Sequence, residues 1–160
     1  MTEYKKYLDE GIYDVQNGKY EDAIEKINKS IELKNDWEIP YFYRAVAYHA
    51  LENYDEAMLD YTKSLQLNDK MTDAYYNRAK IILSNTNSPM ADIRKAVADL
   101  EQAIALDDKF VDALFAMAAA YKKLGDYHKS LEYLEKVLQI CPDAVHAKAL
   151  KKLILQKYIV

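Results

Sequence analysis

Tyr7, Tyr41 and Tyr75 recur at intervals of 34 residues, and so do the pairs Tyr20 and Tyr54, Ala23 and Ala57, Ser30 and Ser64, and Leu33 and Leu67. The interval lengthens once, by five, so that Ala57 corresponds to Ala96 and Leu67 to Leu106. It then returns to 34, with Leu106 mapping onto Ile140 and Asp108 onto Pro142. A fixed period of this length confines the chain to a stack of similar supersecondary units, each too small to bury its own apolar face. Such arrays offer extended binding surfaces, so the period points to binding before chemistry.

Each interval holds two helical patterns. In 38–71, the stretch from Tyr41 to Tyr48 spaces its apolar residues helically, and the stretch from Tyr54 to Leu67 places Ala57, Tyr61, Ser64 and Leu65 at steps of three and four. Leu51-Glu52-Asn53 reads as the turn between them, with Asn53 as the residue tolerant of unusual dihedrals. Only 3 Gly and 3 Pro occur in 160 residues, which fits helices joined by short turns rather than a β fold.

The set Tyr41, Arg44, Ala45, Tyr48, Ala57, Tyr61 and Ser64, with its counterparts at 4–37, 72–110 and 111–144, resembles the tetratricopeptide repeat family over nearly the whole chain. The resemblance implies an all-α, right-handed α-α superhelix (a solenoid) of four helix pairs plus a capping helix at 145–160, in a single domain 1–160. Gly11, Ala45, Ala79 and Ala118 then stand where the two helices of a unit cross, with Ala23, Ala57, Ala96 and Ser130 opposite, because larger side chains would push the axes apart. Asp14 replaces the expected aromatic of the first unit and reads as the polar surface of a terminal cap. The five-residue excess falls near 85–89, where Ser88 suits an N-cap and Pro89 a first helical residue, so the following helix starts early. In 145–160, Lys148, Lys151, Lys152 and Leu155 form a solvated face. Ala147, Leu150, Ile154 and Tyr158 form one apolar stripe, and Val145, Ala149, Leu153 and Val160 another. One of the two docks on the fourth unit, and the other either completes that contact or joins two copies as a weak homodimer.

In this family the first helices line a concave groove. The resemblance therefore implies a peptide-binding groove of Ile39, Phe42, Tyr43, Val46, Tyr76, Asn77, Lys80, Phe115, Ala119 and Lys122. Phe42, Tyr43, Tyr76 and Phe115 lie outside the packing positions of the repeat, which suits them as anchors for a partner. One branch of the family clamps the C-terminal carboxylate of chaperones with two Lys, two Asn and an Arg. Those positions hold Leu8, Ile12, Tyr43, Asp73 and Asn77 in one register, and Phe42, Val46, Asn77, Asp112 and Ala116 in the next. Without the cations the carboxylate loses its charge-assisted partners, so that clamp is rejected.

The remaining signals exclude more than they suggest. A net charge of −4 offers no basic excess for nucleic acid. No apolar run is long enough for a membrane span, and the N-terminus carries no apolar core of a signal peptide. Cys141 is the lone cysteine, which fits a reducing, cytoplasmic setting. His49, His128 and His146 are scattered without metal-ligand spacing, and no Gly-rich phosphate loop exists. The sequence thus names no catalytic residue, metal or cofactor. It supports a non-enzymatic scaffold that holds a protein or peptide segment, the alternative being a self-assembling structural protein or a small chaperone for an exported protein.

Overall fold

A computed structural model describes residues 2–158. Among them are nine α-helices and no strand: α1 (Glu3–Gln16), α2 (Tyr20–Leu33), α3 (Glu38–Ala50), α4 (Tyr54–Leu67), α5 (Thr72–Ser84), α6 (Met90–Leu106), α7 (Val111–Lys123), α8 (Tyr127–Ile140) and α9 (Val145–Lys157). None is long and apolar enough to cross a membrane. The chain divides into two compact units, Met1–Ile81 and Ile82–Val160.

In the first unit, α1 packs on α2, α3 on α4, and α3 also on α1 and α2. The small residues do what the repeat requires of them: Gly11, Ala23, Ala45, Ala57 and Ala79 are all buried. At Gly11 the approach is closest, since a Cβ there would stand 2.6 Å from Ile27 Cγ1. One core gathers Leu8, Ala23 and Ile27, with Trp37, Ile39 and Tyr43 against it. A second gathers Ala45, Ala57, Tyr61, Leu65, Ala74 and Ile81.

The second unit repeats the scheme with α7 on α8 and α8 on α9. Ser130 is fully buried and its hydroxyl donates to the Ala118 carbonyl at 2.7 Å, so the two small positions are tied as well as close. Leu114, Ala118, Leu134 and Val137 share a core with Ala147 and Ile154 of α9. Leu150 packs on the same core, and Tyr158 stacks on Tyr127 with ring centroids 4.3 Å apart. The first apolar stripe of α9 is therefore the docked one. In the second stripe Val145 and Leu153 are exposed, and Val160 lies outside the described residues.

Three local readings are corrected. The left-handed residue of the second turn is Glu52 (φ 61°), while Asn53 has an ordinary φ of −80°. Glu52 occupies the position of Gly18 (φ 73°) one period earlier, so the turn geometry is kept where the glycine is not. Ser88 does not cap α6: its hydroxyl donates to the Ile82 carbonyl at 2.6 Å, and Pro89 holds the N-cap position of α6. The early start of α6 still holds, for it has 17 residues where α4 has 14. Finally, Asp14 is not a solvated cap residue. It is 4% exposed and accepts from Lys26 Nζ at 2.5 Å, so an ion pair with α2 stands where the other first helices carry Tyr48, Ile82 and Tyr121.

Candidate functional site

In the first unit, α3 is pinned from both sides by one side chain. Arg44 donates through Nε and Nη2 to the two carboxylate oxygens of Asp60 on α4 (2.6 and 2.8 Å), and through Nη1 to Asn28 Oδ1 on α2 (2.7 Å). One period later Arg78 on α5 donates to Thr62 Oγ1, the counterpart of Asn28, at 3.1 Å. A polar ladder thus runs along the unit at the repeat spacing. Its bidentate rung fixes the rotation of α3, and with it the direction of the residues on the other face of that helix.

That other face carries the expected groove residues. Phe42 meets Tyr43 edge-on at 5.3 Å and lies 6.0 Å from the Tyr61 ring. Phe42 and Val46 rest on the Tyr61 core, and Ile39 and Tyr43 on the Leu8 core. The rings are therefore not surplus to the fold, as the repeat positions implied. Each is half-buried, with one side on a core and part of its surface open. In the second unit Phe115 likewise packs on its core, while Ala119 and Lys122 are half-buried on the same helix. The residues expected to line a groove thus fall in both units, Phe115, Ala119 and Lys122 in the second and the others in the first.

Polar groups surround the first group. Lys80 is exposed, lies over the Tyr76 ring at 5.9 Å, and enters no ion pair among the described residues. His49 stacks edge-on against Tyr54 and Tyr61. Burial first, and the Lys80 charge second, hold its pKa below the ordinary histidine value, which favours the neutral ring. Tyr61 is fully buried, and its hydroxyl makes no hydrogen bond of ordinary geometry. Burial pushes its pKa far up, and the Asn77 side chain beside it opposes that rise only partly. A buried hydroxyl left without a partner costs about 1–3 kcal/mol, and the Asn77 side chain is the group placed to offset that cost. Tyr61 is legible in the sequence as a packing position of the repeat and His49 as a scattered histidine, but that the two rings meet is not. The signal is positional: once α3 and α4 are paired, Tyr61 of α4 meets both Phe42 and His49 of α3. Among the described residues no group of three or more His, Cys, Asp or Glu is arranged to hold a metal ion.

The model of the tetratricopeptide repeat matches residues 40–71 and 111–144. Human sperm-associated antigen 1 is 35% identical over 97 residues, which are 61% of this chain and 10% of that protein. The chain spans about a tenth to a fifth of the length of the curated relatives it matches first. Among solved structures, a crystal structure of MamA protein superposes with a TM-score of 0.85 at 21% identity, covering 96% of this chain and 81% of that one. The first repeat domain of Spaghetti (RPAP3), solved with the HSP90 peptide SRMEEVD, superposes with a TM-score of 0.68 at 23% identity over 74% of this chain and 90% of that one. At these identities the likeness speaks for the fold alone.

Proposed function

Since the chain belongs to the tetratricopeptide repeat family, we propose that it is a non-catalytic interaction module of the cytoplasm that holds a peptide segment against the α3–α5 face of its first unit. One observation carries the reading. The half-open ring of Phe42 packs edge-on against Tyr43 and lies against Tyr61, Asn77 stands at Tyr61, and the exposed, unpaired Lys80 lies over the Tyr76 ring. An aromatic floor anchors an apolar side chain by desolvation, and the polar groups beside it fix the orientation of the segment. Asn77 supplies both a donor and an acceptor for a peptide backbone. Lys80 adds a cation for a carboxylate, so the segment is one with an acidic residue next to an apolar or aromatic one. Phe115, Ala119 and Lys122 serve a segment in the same manner in the second unit.

Selection from a peptide library displayed on phage, followed by titration calorimetry with the selected peptides, tests this. Tyr76→Ala with Lys80→Ala should weaken the selected peptides by roughly tenfold or more, as truncation of an anchoring ring does, with far-UV circular dichroism unchanged. Phe42 is a poorer choice for the test because its inner side belongs to the core. Selected peptides that bind the double variant undiminished would place the site elsewhere.

A further inference from the structure

On the second unit, outside the face just described, α8 and α9 form a groove of about 490 Å³ lined by Leu138, Lys148, Lys151, Lys152 and Leu155. One period earlier the equivalent residues are Ile104, Leu114, Met117, Ala118 and Tyr121. There Leu114, Met117 and Ala118 are at most 1% exposed, because α8 packs on α7. Ser130 of α8 bonds the Ala118 carbonyl, and Tyr133 of α8 stacks on Tyr121 at 5.7 Å. The α8–α9 groove is therefore the place on this unit that repeats the seat of a helix. It keeps the apolar floor through Leu138 and Leu155, and Leu155 is 45% exposed. What has changed is the charge, since three of the equivalent apolar residues are lysines. Lys151 is held by Glu135 at 2.5 Å and Lys148 only loosely by Asp143 at 3.6 Å, while Lys152 has no ion pair among the described residues. The stretch 145–157 contains four of the chain's 22 Lys and Arg and no Asp or Glu, which leaves 18 basic against 26 acidic residues elsewhere.

We propose that this groove docks an acidic amphipathic helix supplied by a partner protein. The helical shape follows from the seat that α8 fills one period earlier. The acidic character follows from Lys148 and Lys152, which a purely apolar helix would bury without partners.

The probe is a helix-stabilised peptide of about four turns with the α8 pattern. It carries glutamates at the positions of Ser130 and Leu134, the α8 residues that meet the Ala118 and Leu114 region. A second probe carries lysines there. The whole chain should bind the glutamate probe, with amide NMR shifts confined to residues around Leu138 and Leu155, and should not bind the lysine probe. Lys148→Glu with Lys152→Glu should weaken the glutamate probe at least about tenfold and gain the lysine probe. Both side chains are exposed, and Lys148→Gln with Lys152→Gln gives a milder variant if the reversal perturbs folding. Equal binding of the two probes, or no binding of either, overturns the proposal. Sedimentation of the chain alone that shows a dimer lost in the reversal variant would make the occupant a second copy and overturn it. So would flotation with phosphatidylserine vesicles that the reversal variant loses, in the absence of probe binding.

Discussion

The repeat is most exposed to test at single residues, because one position is visited several times under the same geometric demand. Gly18 and Glu52 share a left-handed turn, yet only Gly18 adopts it without a Cβ penalty. An L-residue in this conformation is disfavoured by roughly 1–2 kcal/mol. Glu52 is exposed and makes no side-chain hydrogen bond among the described residues, so little is lost with its side chain. Glu52→Gly should therefore raise the unfolding free energy by about 1 kcal/mol, less the entropy that glycine adds to the unfolded chain. Urea denaturation measures this, and a stability that falls would mean the Glu52 side chain contributes more than its turn costs. The same position shows a limit of sequence reading. Asn53 has the better intrinsic tolerance for such dihedrals, but the register of the repeat, not local preference, places the left-handed residue one position earlier.

At the scale of the elements, what the sequence discloses is whatever keeps the period. Ala45, Ala57, Ala79, Ala96 and Ala118 are legible as crossing points and are all fully buried, because the close helix–helix approach admits only small residues there. Interactions whose two ends lie on different helices are harder to read. Asp14 looks like a solvated residue until Lys26 is seen beside it, and Arg44, legible as a repeat position, does not disclose that Asp60 and Asn28 close around it. The rings of the groove show the same limit, since their place outside the repeat positions did not disclose that their inner sides rest on the cores. The Arg44–Asp60 pair is mostly buried, with side chains 20% and 9% exposed. Removing one partner of such a pair strands the other, at about 3 kcal/mol or more, whereas replacing both by apolar residues of similar volume is close to neutral. Arg44→Met alone should accordingly lower the urea midpoint sharply, and Arg44→Met with Asp60→Leu should recover most of it. A double variant as unstable as the single one would mean that the Asn28 bond, not the ion pair, holds α3 in place.

At the scale of the whole molecule, the question is what closes the second unit. Val137 stands where Ser30 and Ser64 stand in earlier repeats, and it is 1% exposed because Ala147, Leu150 and Ile154 of α9 lie in the same core. A polar residue suffices at Ser30, whose hydroxyl donates to the Tyr4 carbonyl at 2.8 Å. At 137 the chain uses an aliphatic residue against an aliphatic helix face instead. Deleting residues 145–160 exposes that face and removes the burial of Ile154 and Leu150, on the order of 3 kcal/mol in all. For a chain of this length that corresponds to a fall of about 10 °C in Tm. The newly exposed apolar surface should also promote aggregation, visible as a rise in scattering before the thermal transition. The Tyr127–Tyr158 stack allows a finer version of the experiment. Truncation after Lys157 removes the ring but leaves Ala147, Leu150 and Ile154 in place, so it should cost only the stacking, about 1 kcal/mol. The two truncations together separate a helix that closes a core from one that joins copies. In the first case the loss of stability is graded, small and then large. In the second, stability is unchanged by either truncation, and light scattering shows a dimer becoming a monomer.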